Sequence, residues 1–166
     1  MNGSTSEAVA RPVSPAAPVG VKRLSLDDLS AAKRWDAFVE GCPQATFFHR
    51  AAWQRILREV FGHRTHFLFA ERAGVVEGVL PLAQVKSLLF GNSLVSLPFA
   101  VYGGIAASDT AAATALEREA QALARQLGVG HLEFRNISPR HPEWPRQDLY
   151  VRFRKEMAPE VEANLL

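Results

Sequence analysis

At 166 residues the chain has the length of one domain, able to bury about 68–70% of its extended surface on folding. Hydrophobic residues make up 48% and charged residues 22%, the balance of a globular protein rather than a fibrous or disordered one. A net charge of +2 does not by itself argue for nucleic acid, Cys42 as the sole cysteine excludes an internal disulfide, and no apolar run approaches the ~18–20 residues of a membrane helix.

Residues 1–20 carry Pro12, Pro15 and Pro18 among small residues, with Glu7 and Arg11 as the only charges. Without a basic start or an apolar middle this is no signal peptide, and it reads as a disordered leader to a domain spanning 21–166. A reducing, cytoplasmic location is expected. Val21–Leu26 alternates loosely and is a candidate strand. Asp27, Asp28 and Ser30 offer N-cap oxygens to a helix carrying Trp35, Phe38 and Val39, which Gly41 and Pro43 end. A second helix is expected from about His49. Its Trp53, Ile56, Leu57, Val60 and Phe61 repeat at i, i+3, i+4, i+7 and i+8, which makes one apolar face. Gly62 stands where a left-handed cap is wanted.

Thr65–Glu71 is a strand apolar on both faces, so it should be covered on both sides. Val75–Lys86 returns antiparallel after Gly74, and Pro81 within it cannot donate a ladder hydrogen bond, which implies a bulge or an edge. Ser93–Leu97 is a further short strand, and Pro98–Gly104 is irregular. Asp109 caps a helix to about Leu127 with the stripe Leu116, Ala120, Leu123, Ala124 and Leu127, closed by Gly128. His131–Arg135 is a strand, followed by a loop through Pro139, Pro142 and Pro145. Leu149–Arg154 alternates as a last strand, and Glu160–Leu166 reads as the first turns of a helix.

Two helices, an antiparallel hairpin, a helix and two more strands make an α+β fold around a central sheet. The same order is that of a GNAT-like (acyl-CoA N-acyltransferase-like) domain, a mixed, mainly antiparallel sheet flanked by helices. The run Ala45-Thr46-Phe47-Phe48-His49-Arg50-Ala51-Ala52-Trp53 resembles the segment before the substrate cleft of FemAB-type peptidyltransferases. Gly78-Val79-Leu80-Pro81-Leu82 resembles their second hairpin strand, and Phe99 to Gly104 their cleft loop. Phe61-Gly62-His63-Arg64-Thr65-His66, Lys86 to Asn92 and Asp148-Leu149-Tyr150-Val151 are similar to the FemAB-related proteins of bacterial exosortase/PEP-CTERM, exopolysaccharide-making systems. The resemblance covers roughly Leu24–Leu166.

The resemblance implies two GNAT-like domains with substrates between them, of which this chain corresponds to the first. It implies transfer of an acyl or aminoacyl group to an amine on a cell-envelope or exopolysaccharide-related precursor. The donor would be an aminoacyl-tRNA or an acyl-CoA in the complete enzyme, with no cofactor resident in this domain. The alternative is a non-catalytic binding module or a homodimer joined through the face that a second domain would cover. No DNA partner and no membrane span are expected.

The acceptor-binding candidates are Trp53, Tyr102, Gly103, Arg50 and Arg152. Trp53 stands at a position resembling a cleft tryptophan, yet it also lies on the apolar stripe of its own helix. Tyr102 precedes Gly103-Gly104, where a backbone free of Cβ atoms can approach a ligand and a hydroxyl can orient it; a tight turn with a surface tyrosine is the other reading. Arg152, with Arg154 and Lys155, could hold an anion or simply keep a strand face wet. The catalytic residues are not identified.

Five histidines do not make a metal site: His63 and His66 are three apart but the second begins a strand, and His49, His131 and His141 are scattered. Cys42 lies between Gly41 and Pro43 without the features of a nucleophile. Arg125-Gln126-Leu127-Gly128-Val129-Gly130 matches the letters of the acetyl-CoA signature. It falls at a helix C-terminus, where the dipole repels anions, so no CoA site is inferred there.

Overall fold

The strands that the sequence makes most apolar form the centre of the sheet. In the computed structural model, which describes residues 17–87, 91–147 and 157–162, β2 (Arg64–Arg72) and β3 (Val75–Ser87) make a long antiparallel hairpin. Its turn, Ala73-Gly74, has φ of 49° and 83°, the left-handed pair that matches the twist of a two-residue hairpin. β1 (Gly20–Arg23) joins the outer side of β2, and β4 (Gly91–Ser96) pairs antiparallel with the far half of β3. β6 (His131–Glu133) runs parallel to β4, and β5 (Ala106–Ala107) pairs with the near half of β3. The sheet is therefore mixed and mainly antiparallel, in the order β1-β2-β3-β4-β6.

Alternation along β2 divides the core in two, as its doubly apolar sequence requires. Phe67 and Phe69 face α1 (Leu29–Gly41) and α2 (Trp53–Glu59), whereas Leu68 and Ala70 face α3 (Thr110–Gln126). Trp35 of α1 is fully buried, stacked on Phe67 at 5.4 Å and edge-on to Phe69 at 6.4 Å. Burial of such a ring contributes about 1.5–3 kcal/mol. Asp28 and Asp109 cap α1 and α3 through the amides of Ala31 and Ala112, and Gly128, at φ 58°, follows the last turn of α3.

Several expectations need correction. The second helix does not begin at His49: a 3₁₀ turn, Phe47–His49, capped by Thr46, comes first, and α2 starts at Trp53. Its apolar stripe is not buried as a unit, because Leu57 is fully buried while Ile56, Val60 and Phe61 are exposed. Of the bulge or edge expected at Pro81, the hairpin's bulge lies instead opposite Ala70/Glu71, while Pro81 pairs in register with Phe67 and has neither β4 nor β5 as partner on its other side. β5, only two residues long, carries no periodic signal and was not foreseen, and the strand expected over His131–Arg135 stops at Glu133. The leader through residue 16, the expected strand Leu149–Arg154 with Arg152, and residues 163–166 lie outside the described residues. Among those described, no helix is long and apolar enough to cross a membrane.

Candidate functional site

Pro81 marks the place where β3 changes partner. β4 pairs with β3 as far as Leu82↔Ser96, and β5 takes over at Val79↔Ala106. Pro81 sits between, its carbonyl accepting from the Leu97 amide at 2.9 Å, in a position where no strand asks for the amide it lacks. Between the two short strands the chain makes a nine-residue excursion, 97–105, in which Leu97 (φ 53°) and Phe99 (φ 70°) are left-handed non-glycines.

This excursion is laced to the segment after β6. The Arg135 carbonyl accepts from the Gly103 and Gly104 amides at 3.2 and 3.0 Å. Its guanidinium donates to the Ala100 carbonyl at 2.8 Å, and its own amide donates to Ser96 Oγ at 2.7 Å. The Ile105 amide donates to Asn136 Oδ1 at 3.0 Å. Both glycines are required by this packing. A Cβ on Gly103 would stand 2.4 Å from Leu97 Cβ, and one on Gly104 2.2 Å from Asn136 Oδ1 and 2.7 Å from its Cα.

The opposite wall is the turn between α1 and α2. Its His49 is buried and has both ring nitrogens engaged: Nδ1 accepts from the Thr46 amide at 3.0 Å, which leaves Nε2–H to donate to the Gly104 carbonyl at 3.0 Å. Burial pushes the imidazole below its ordinary pKa, against the raising effect of the backbone bonds to Gly104 and Thr46. Trp35 Nε1 donates to the His49 carbonyl at 2.6 Å, and the Ala51 amide to Asp36 at 2.8 Å, so α1 fixes the same turn.

Between these walls lie two adjoining hollows that share Pro43 and Gln44. One, of about 330 Å³, is lined by His49, Gly104, Ile105, Asn136 and Arg140 among others; the other, of about 470 Å³, runs on past Phe38 and Cys42 to Ala107 and Ser108. Together they follow the outer edge of β5, beside which no further strand stands among the described residues. Because Ser108 donates to the Glu77 carbonyl and Ala106 faces Val79, alternation turns the amide and carbonyl of Ala107 outward, as it does the Ile105 amide that Asn136 takes.

The floor of the smaller hollow, 136–140, is held from behind by α3. Buried Glu117 meets His141 Nε2 at 2.9 Å and Arg140 at 3.6 Å, while Glu143 meets His141 Nδ1 at 3.2 Å. The hydrogen bond to Glu117 is the main cause that raises the His141 pKa. The ring also stacks on Trp144 at 4.2 Å. At the other end of α3, Asp109 accepts from Ala112 and pairs with Arg72 at 3.1 Å, which holds its carboxyl below the usual range and fills the helix N-terminus with the protein's own anion. The Arg125–Gly130 run lies at the opposite end, as its sequence context suggested.

Of the sequence candidates, Tyr102 and Gly103 stand on the loop beside the cleft, but neither lines its two hollows. Trp53 is half-buried in an aromatic cluster with Phe47 and Phe48, at 5.9 and 5.7 Å. Arg50 pairs with Glu40 of α1 at 2.8 Å, an exposed bridge worth about 0–1 kcal/mol. Arg152 lies outside the described residues. His49, Gly104, Arg135 and Asn136 build the walls; none of them is among the acceptor-binding candidates read from the sequence, and Asn136 carries no signal there. Glu133 pairs with Arg135 at 2.7 Å. No group of three or more potential metal ligands converges among the described residues.

No protein-family model and no curated protein matches the sequence. Two solved structures share the architecture. One is a GNAT family acetyltransferase of Staphylococcus aureus subsp. aureus USA300_TCH1516, 9% identical with a TM-score of 0.55, the match covering 84% of this chain and 99% of that one. The other is a ribosomal-protein-alanine N-acetyltransferase from Brucella melitensis biovar Abortus 2308, 13% identical with a TM-score of 0.51 and the same coverage. The likeness concerns the fold: this chain has the GNAT acetyltransferase fold.

Proposed function

We propose that the chain is an acyltransferase domain that lays an amide-bearing acyl donor along the outer edge of β5 and passes its acyl or aminoacyl group to an amine. The observation that carries this reading is the open backbone edge at Ala107, facing a cleft bounded by His49, Gly104 and Asn136. An extended arm with amide groups can pair with such an edge as an added strand does. The fold shared with two acetyltransferases supports the reaction class.

The cleft's contribution is positioning. An acceptor amine attacks the ester or thioester carbonyl, the carrier's hydroxyl or thiol leaves, and the amine proton passes to substrate or solvent. Neither His49 nor His141 is placed as general base, since both His49 nitrogens are hydrogen-bonded and His141 lies between two carboxylates. In the FemAB-like form of this reading the domain is the N-terminal half of an enzyme acting on a cell-envelope or exopolysaccharide precursor. Trp53, Tyr102, Gly103, Arg50 and Arg152 then belong to the acceptor side. The donor in that form is an aminoacyl-tRNA or an acyl-CoA. The same occupied imidazoles favour, as a second reading, a module that binds without catalysis.

The test is calorimetry of the chain and of Ala107→Pro, which removes the outward amide, against a pantetheine-like amide thiol, acetyl-CoA and an aminoacylated tRNA acceptor stem. Binding of any of these that Ala107→Pro abolishes supports the cleft, and formation of an amide product separates transfer from binding alone. No heat with all three sinks the proposal.

A further inference from the structure

Helix α2 is more apolar than its seat on the sheet requires. Gln54 and Leu57 are buried beneath it, yet Trp53, Ile56 and Val60 form a stripe on its flank, with Ile56 37% and Val60 71% exposed. The stripe continues at both ends. Phe47, 71% exposed, packs edge-on to Trp53, while Phe61 stacks on Phe99 at 4.3 Å, with His63 behind it and exposed Val101 two residues on. Phe99 is held outward by a left-handed backbone that is sterically disfavoured for a residue with a side chain. With ~150–250 Å² for each aromatic ring, these exposures leave on the order of 600 Å² of apolar surface in water. That lies at the upper limit of what a monomer commonly shows as one patch, about 300–600 Å², and approaches the ~800 Å² that each partner contributes to a standard interface.

We propose that this surface joins two copies of the chain in a symmetric dimer, α2 packing antiparallel to α2 of the second copy about a two-fold axis near Ile56. An isologous contact must be self-complementary, and the stripe is. Reversal about Ile56 brings Trp53 of one copy onto Val60 of the other, with the Phe61–Phe99 stack closing each end. The charges bordering the stripe reverse correctly too. Arg55 and Glu59 lie only 3.8 Å apart within one helix and both are exposed. With Trp53 set on Val60, Arg55 of one copy comes level with Arg58 and one residue from Glu59 of the other, within reach of its long side chain.

The proposal is tested by light scattering on the eluting full chain and by sedimentation over a concentration series. The expected mass at tens of micromolar is twice the 18.2 kDa of one chain. Val60→Glu and Phe99→Asn, both at exposed positions and the second suited to a left-handed backbone, should each raise the dissociation midpoint by at least about 10-fold while leaving the melt cooperative. Arg55→Glu should also weaken the dimer, and adding Glu59→Arg should restore it. A chain of single mass at about 100 µM, or a dimer indifferent to Val60→Glu and Phe99→Asn, overturns the proposal; a dimer weakened by both supports it.

Discussion

His49 and Gly104, 55 positions apart, are joined by a 3.0 Å hydrogen bond that ties the α1–α2 turn to the excursion between β4 and β5. One imidazole thereby satisfies the Thr46 amide on its own turn and the Gly104 carbonyl on the other wall. Every ring atom with hydrogen-bonding capacity is used, so the residue acts as a spacer of fixed length across the cleft.

Replacing it should be costly. His49→Ala leaves a buried amide and a buried carbonyl unpaired and opens a hole, an expected loss of about 2–4 kcal/mol. At this chain length that corresponds to roughly 5–15 °C in the thermal midpoint. An unchanged melting curve would show that the two walls are held by other contacts.

The buried His66 should behave oppositely. It lies on the α3 face of β2, and neither ring nitrogen has a hydrogen-bond partner. Burial first, then the charges of Arg23 and Arg64, push its pKa down to about 4. The unfolded chain takes up a proton near pH 6.5 and the native one resists, so stability should fall as the pH drops from about 6.5 towards 4, by on the order of 2–3 kcal/mol. His66→Leu should remove this share of the acid slope and leave stability at pH 7 equal or higher by about 1 kcal/mol. Urea titrations at pH 7 and pH 5 check both signs; a steeper acid slope in His66→Leu would refute the assignment.

The glycines should sort into two classes by their surroundings. Gly104→Ala drives a Cβ into the Asn136 backbone and Gly103→Ala drives one into Leu97, so each should cost more than about 2 kcal/mol. Gly62→Ala and Gly128→Ala meet nothing within 4 Å and suffer only their positive φ, a cost of about 1–2 kcal/mol. Asn136→Gly should not rescue Gly104→Ala, because the Asn136 backbone atoms remain. Denaturant midpoints of the five variants decide it, and a full rescue would place the clash in the side chain.

His141 should titrate above its ordinary value, the reverse of His66. Contacts from both nitrogens to carboxylates require the doubly protonated ring, since a neutral imidazole has one N–H. Its contribution is therefore present below pH 6.5 and lost as the pH rises through the raised pKa. A proton NMR titration should give a midpoint above 6.5 that Glu117→Gln lowers. A native midpoint at or below 6.5 would mean that the ring is neutral.

The sequence carried its elements more legibly than its site. Helical spacing in α3, the doubly apolar β2 and the Ala73-Gly74 turn each depend on near neighbours, and each was readable. At Gly103-Gly104 the sequence marked a place for close backbone approach, and the groups that approach the two glycines are Leu97 and Asn136 of the same chain. Nothing near His49 in sequence points to Gly104, and a two-residue strand such as β5 has no period to detect. On α2 the apolar face was readable but its exposure was not, because periodicity marks an apolar face without saying whether this chain covers it.

The handover of β3 from β4 to β5 at Pro81 divides what would otherwise be one cooperative ladder. Among the described residues, only the Pro81 carbonyl, bound to Leu97, spans the junction on that side of β3. The Val79–Ala106 pairing can then open while Leu82–Ser87 stays closed on β4. Amide hydrogen exchange should record this as two separate protection levels, the Ala106 amide exchanging ahead of that of Val95, which faces β3 at Ala83. The cleft edge would thus be renewed by local opening, with the rest of the sheet acting as a rigid frame.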